Sequence, residues 1–218
     1  MPLPSATNLS FRSDAVDKFT GIIAAIAERG WAVVDDFLPG EWVAELREEQ
    51  QRQSLRGDFH CAATGRLDTL RQDAETRGDR ILWLERHNAG PAQRQYLELL
   101  EELRLAVNHE LFLGLFGQET HAAVYPPGRG YRRHLDGFRK GNLRTLTGIL
   151  YLNPRWRKED GGALRMFLDD APGGDCLEVL PEAGRFVVFL SERFEHEVAT
   201  TQRLRWSVTS WFSRRSAA

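Results

Sequence analysis

Apolar residues at Val16, Phe19, Ile22, Ile23 and Ile26 recur with a helical period, with Ser13 or Asp14 placed to cap the start of the run and Gly30 to stop it. The pattern predicts a surface helix with one buried stripe. WAVVDDF (31–37) then has the length and composition of a strand, LPG (38–40) reads as a turn, and EWVAELREEQQRQSLR (41–56) as a second helix with Trp42, Val43 and Leu46 inward. From Gly57 to Asp79 the chain is polar, glycine-containing and without a sustained period, which predicts a functional lid or a disordered segment. RILWLE (80–85) predicts a short strand. Pro91 then opens a third helix, tolerated there because a first-turn N–H has no helical acceptor, and the stripe continues through Tyr96, Leu99, Leu100, Leu103 and Val107.

After about residue 118 the pattern changes to short β runs punctuated by Gly, Pro and Asp: THAAVY, RTLTGILYLN, ALRMFL, CLEVL, RFVVFL and RWSVTSWF. Such a series predicts a sandwich or barrel, so the fold class is mainly β with supporting α. The expected organisation is a single domain over 1–218, with helical support over approximately 13–117 and a β-barrel core over approximately 118–213. At 218 residues the chain is long enough to bury a sizeable core.

Charge narrows the function. With 29 basic and 31 acidic side chains the net charge is -2, which offers no global attraction to nucleic acid or to an anionic membrane. No apolar run approaches the ~20 residues that span a bilayer, and the N-terminus lacks a signal-peptide pattern. Two cysteines, Cys61 and Cys176, fit a reduced compartment, so the expected location is cytoplasmic. Any metal chemistry must use histidine and carboxylate.

His134 and Asp136, two residues apart in YRRHLDGF, project from one face if the segment is extended. His-x-Asp alone is a weak signal, and a solvated turn is the bland alternative. His196, just after the apolar run RFVVFL, strengthens the pair, because two histidines and one carboxylate form the facial set used by non-haem Fe(II) oxygenases. HEVAT (196–200) begins like a zinc-protease motif but carries Thr200 where the second histidine belongs. In RWSVTSWF, alternation places Arg205, Ser207, Thr209 and Trp211 on one face. Burying Arg205 there is costly unless an anion meets its planar fork. An edge arginine in water is the alternative. RTLTGILYLN places Thr145, Thr147, Ile149 and Tyr151 on a common face, where Tyr151 offers a hydroxyl or simply fills the core.

Together with WAVVDDF, RGDRILWLE (77–85), YPPGRGYRRHLD (125–136), GGALRMF (161–167) and the run from CLEVLPEAGRFVVFLSE to RWSVTSWF, these residues resemble the Fe(II)- and 2-oxoglutarate-dependent prolyl hydroxylases. The resemblance is to the group containing the oxygen-sensing animal enzymes and their bacterial relatives. It implies a double-stranded β-helix, or jelly roll. Position by position it implies iron ligation by His134, Asp136 and His196, and pairing of Arg205 with the far carboxylate of 2-oxoglutarate. Tyr151 would bond that carboxylate too, Tyr125 and Thr209 would line the cosubstrate pocket, and Arg144 and Trp211 would lie near a bound peptide. Gly57 to about Arg77 would form a mobile loop over the substrate. With the sequence stopping at Ala218, no counterpart is expected for the C-terminal helix that helps the animal enzymes grip substrate.

The implied reaction consumes O2 and 2-oxoglutarate, releases succinate and carbon dioxide, and hydroxylates C4 of a prolyl residue in a protein, with L-ascorbate keeping the iron ferrous. For a bacterial relative the implied partner is a translation factor, elongation factor Tu. The alternatives are an oxygenase acting on a small molecule or free amino acid, and a non-catalytic sensor of metal or 2-oxoglutarate. A nucleic-acid demethylase is disfavoured by charge balance. His60, Cys61, His87, His109 and His121 read as ordinary loop, surface or core residues.

Overall fold

The computed structural model describes residues 6–62, 76–136, 143–169 and 174–215, with side chains from residue 17 onward. In chain order the elements are helix α1 (Ala6–Arg29), strand β1 (Trp31–Val34), helix α2 (Gly40–Leu55), strands β2 (His60–Cys61) and β3 (Arg80–Trp83), and helix α3 (Pro91–Leu111). The remaining strands are β4 (Leu115–Tyr125), β5 (Tyr131–His134), β6 (Arg144–Tyr151), β7 (Leu164–Phe167), β8 (Cys176–Val179), β9 (Phe186–Leu190), β10 (His196–Val198) and β11 (Arg205–Arg214).

Three expectations need adjustment. The first helix starts at Ala6 rather than at Ser13 or Asp14, since nothing from Ala6 to Asp14 breaks a helix. WAVVDDF is a strand only to Val34, because Asp36 takes a left-handed conformation (φ 49°) and turns the chain. The expected lid is interrupted by β2, and its positions 63–75 lie outside the described residues.

The strands form two antiparallel sheets. The larger runs β1-β9-β6-β11-β4-β3-β2 and the smaller β5-β10-β7-β8. This is the two-sheet jelly-roll arrangement that encloses a cavity. The three helices contribute to the main apolar cluster on one face of the large sheet: Ile22 and Ile26 from α1, Trp42 and Leu46 from α2, and Tyr96, Leu100 and Leu103 from α3 meet Val124, Leu150, Val188, Val208 and Phe212. The other face meets the small sheet through Ile149, Tyr151, Val187 and Phe189 against Leu164, Met166 and Val179. Strand β9 explains its own composition. Phe186 and Val188 face the helices and Val187 and Phe189 face inward, so an uninterrupted apolar run is required. Phe186 stacks on Phe37 at 4.3 Å and lies over Gly148, where a Cβ would come within 2.9 Å of its ring.

A buried polar clamp joins α2 to α3. Gly90 has no side chain to cap α3, so the Glu49 carboxylate of α2 does it, accepting from the backbone N–H groups of Ala92 and Gln93, each at 3.0 Å. A Cβ at position 90 would strike that carboxylate at 2.3 Å. Gln53 and Gln93 exchange amide hydrogen bonds beside it, at 3.0 and 2.8 Å. Glu49→Ala leaves two helix N–H groups unpaired in the interior and should lower stability by about 3 kcal/mol, read as a lower urea midpoint with an unchanged denaturant slope.

Candidate active site

In the small sheet β10 pairs with β5, placing His196 directly opposite His134. Their rings lie 4.3 Å apart, centroid to centroid. Asp136, two residues beyond His134, reaches between them. Its Oδ1 is 3.6 Å from His134 Nε2 and its Oδ2 is 3.7 Å from His196 Nε2. One ligand atom from each residue lies within 4.8 Å of the others, a group that could hold a metal ion. Ligands at right angles on a first-row metal, with bonds of about 2.1 Å, sit about 3 Å apart. Small side-chain rotations therefore close the set.

The surroundings prepare these groups for a cation. His134 Nδ1 lies 2.7 Å from the Arg132 carbonyl and His196 Nδ1 3.2 Å from the Phe194 carbonyl. A carbonyl can only accept, so each Nδ1 carries the proton and each Nε2 presents its lone pair to the centre. Burial holds the His196 pKa down at about 4 against the pull of Asp136, keeping the ring in its neutral, ligating form. Burial alone would raise the Asp136 pKa. His196, His134 and the Trp211 indole outweigh it and hold the carboxyl well below the usual carboxylate range. Two donors orient this carboxylate: Thr147 Oγ1 on β6 and Trp211 Nε1 on β11, at 2.9 and 2.8 Å from Oδ2. With its proton given to Asp136, Thr147 accepts from Ser191 at 2.8 Å.

Arg205 opens β11 opposite Tyr125 and is only 2% exposed. Its Nε donates to the Gly162 carbonyl at 2.7 Å, and its guanidinium carbon lies 5.1 and 5.0 Å from the ring centroids of Tyr125 and Tyr151. No carboxylate pairs with it among the described residues. The Tyr151 hydroxyl beside it is buried and has no hydrogen-bond partner among the described residues, and burial raises the pKa of both tyrosines. A buried cation next to an unpaired buried hydroxyl is incomplete as a protein interior. The vacant donors suit a carboxylate, and the His134, Asp136 and His196 donor set suits Fe(II), so the residues fit both groups.

One cavity joins the two features. It holds about 40 Å³ of water-accessible space, and His134, Asp136, His196, Arg205, Tyr125, Thr209 and Trp211 all line it. Arg144 lies by Trp211, its guanidinium 3.6 Å from the ring centroid, and bonds Glu119 at 2.9 Å. Of the nine site residues expected from the sequence, seven line this cavity, while Tyr151 stands beside Arg205 and Arg144 beside Trp211 without lining it. Other residues at the site carry no signal in the sequence. Arg77 and Asp79 form a bidentate pair (2.8 and 3.1 Å) at the cavity wall, and the guanidinium of Arg77 lies 4.9 Å from the Tyr131 ring centroid. Their spacing carries no signal. Thr147 was placed on the correct face by strand alternation but given no role. His121, read as an ordinary core or surface residue, is buried in the cavity wall.

Among the described residues no helix is long and apolar enough to cross a membrane. The model of the 2OG-Fe(II) oxygenase superfamily matches residues 120–213. The chain is 42% identical to a Pseudomonas putida prolyl-4-hydroxylase of known crystal structure, covering 91% of this chain and 100% of that one with a TM-score of 0.81. A Trichoplax adhaerens prolyl hydroxylase, solved in complex with a hypoxia-inducible factor oxygen degradation domain peptide fragment, shares the fold, with a TM-score of 0.82 at 24% identity over 96% of this chain and 94% of that one. The hypoxia-inducible factor prolyl hydroxylase of Caenorhabditis elegans is 29% identical over 89% of the chain, which spans only 28% of that relative's length. The chain belongs to the 2OG-Fe(II) oxygenase superfamily, in the group of the bacterial and animal prolyl-4-hydroxylases.

Proposed function

We propose that this protein is an Fe(II)- and 2-oxoglutarate-dependent dioxygenase that hydroxylates C4 of a prolyl residue in a protein substrate, with elongation factor Tu as the target. The observation that carries the reading is the convergence of His134, Asp136 and His196 in one cavity with a buried Arg205 that meets no carboxylate among the described residues. The 42% identity to the Pseudomonas putida prolyl-4-hydroxylase supports the prolyl substrate. Elongation factor Tu rests on the resemblance to bacterial prolyl hydroxylases alone.

Fe(II) with 2-oxoglutarate and O2 supplies the oxidising chemistry, yielding succinate, carbon dioxide and a hydroxylated substrate. The chain supplies position. His134, Asp136 and His196 would hold the metal. Arg205 fixes the far carboxylate of 2-oxoglutarate with its planar fork, and the Tyr151 hydroxyl donates to the same group. Tyr125 and Thr209 wall the pocket and limit the water that enters. Arg144 and Trp211 at the mouth meet the peptide. L-ascorbate would sustain turnover by returning oxidised iron to the ferrous state, and a reducing cytoplasm suits both that chemistry and the free thiols of Cys61 and Cys176.

His134→Ala and Asp136→Ala should each fold, by far-UV circular dichroism, and retain almost no iron after anaerobic loading. Wild-type iron content in either would defeat the metal assignment. Arg205→Met exchanges an uncompensated buried cation for an apolar chain of similar length. The ligand-free variant should be as stable as the parent or more so, by up to about 4 kcal/mol, while binding of 2-oxoglutarate followed calorimetrically with Mn(II) in place of iron is lost. Incubation of loaded enzyme with elongation factor Tu should add the mass of one oxygen to a single prolyl peptide, with succinate formed in equal amount. Hydroxylation of another protein in a cytosolic extract would move the target, whereas oxidation of small molecules alone would overturn the protein-substrate reading.

A further inference from the structure

His121 lies on β4 directly opposite Thr209 of β11 and Trp83 of β3, facing the cavity. It is 2% exposed, and its Nδ1 has no hydrogen-bond partner among the described residues. A buried unpaired ring nitrogen costs about 1–3 kcal/mol, so the nitrogen adds no stability and what the residue offers here is its flat ring. Its contacts suggest another use. The His121 ring centroid is 4.9 Å from that of Trp211 with the planes 30° apart, and 5.3 Å from that of Trp83 with the planes at 63°. Trp211 in turn spends its indole N–H on Asp136 Oδ2 at 2.8 Å. The direction of that bond depends on how the indole plane is held, and an indole on a strand can rotate unless rings or side chains wall it in.

We propose that His121 is a positioning residue for the metal site, holding the plane of Trp211 so that the indole N–H stays aimed at the Asp136 carboxylate. Burial, followed by the nearby charge of Arg77, pushes the His121 pKa down to about 3 although Asp79 and Asp136 pull the other way. The wall is therefore an uncharged flat ring and adds no positive charge beside a site built for a dication. Ser191 and Thr147 support the same carboxylate by a polar route, and His121 with Trp83 supports it by an aromatic one. Groups that orient metal ligands in this way typically matter 10–100-fold for affinity. The inference rests on the metal reading proposed above.

The test is titration of the metal-stripped full-length protein with Co(II), followed by its d–d absorption, with His134→Ala as the control for binding at this site. His121→Leu keeps most of the volume and loses the flat ring. It should weaken Co(II) binding about tenfold and alter the d–d band shape. Trp211→Phe should do the same, and the double variant should bind no more weakly than Trp211→Phe alone, since without the N–H there is nothing left to aim. His121→Phe, which restores a flat uncharged ring, should recover most of the affinity. A folded His121→Leu with wild-type affinity overturns the proposal, as does a double variant in which the two losses multiply. His121→Phe that folds but binds tenfold more weakly overturns it independently of whether His121→Leu folds. If wild type and His134→Ala bind Co(II) alike, the metal reading itself falls and takes this inference with it.

Discussion

The Asp136 carboxylate is where the two sheets are tied together. Its chain position follows β5 of the small sheet, yet Thr147 and Trp211, which donate to it, stand on β6 and β11 of the large one. Their two hydrogen bonds spread the charge of a buried carboxylate across both sheets, which helps a group that burial would otherwise neutralise to stay ionised. The pairing of β5 with β10 brings His196 to His134. The cross-sheet bonds then bring the acid to both. Neither alone assembles the set: the ladder fixes the imidazoles but leaves the acid free to turn, and the donors fix the acid but not the distance between rings.

This arrangement is affordable because the apolar burial lies elsewhere. The large cluster under the helices takes one whole face of the seven-stranded sheet, and at about 25 cal/mol per Å² of apolar surface removed from water it is the dominant favourable term. The other face can then carry Arg205, Ser207, Thr209 and Trp211 in succession toward the cavity. Helix α2 is tied to this strand directly, with Gln50 donating to the Ser207 backbone carbonyl at 3.5 Å. Outward residues of β11 set its stability while inward residues of the same strand set its chemistry. Period-two alternation keeps the two roles on separate positions.

Much of this was legible in the sequence, for a definable reason. The helical stripes and the alternating strands are written in spacing, and the inward set on β11 followed from counting by two from Arg205. Among residues brought together from distant strands, His196 is joined to His134 by the chemistry of a two-histidine, one-carboxylate ligand set and Tyr125 to Arg205 by resemblance, neither by period, since no local pattern encodes which strand returns beside which. Details set by a single backbone angle or by a cross-element bond were not readable at all. Asp36 ends β1 by entering the left-handed region, and Glu49 caps a helix more than forty residues away in the chain. Neither has a neighbour in sequence that announces it.

The residues hardest to read were those whose role depends on what another side chain already does. Thr147 is an unremarkable strand threonine until its hydroxyl is found on Asp136, and His121 an unremarkable core histidine until its ring is found against the indole that serves the same acid. Each acts one contact away from the set that could hold a metal, at a place where side-chain identity is constrained by geometry and not by hydrophobicity. A phenylalanine would satisfy the burial pattern at position 121 and a valine the strand pattern at 147. Their departure from the simplest apolar choice is the only mark that such residues leave in a single sequence. It becomes interpretable once the hydrogen bonds of the carboxylate they surround have been counted.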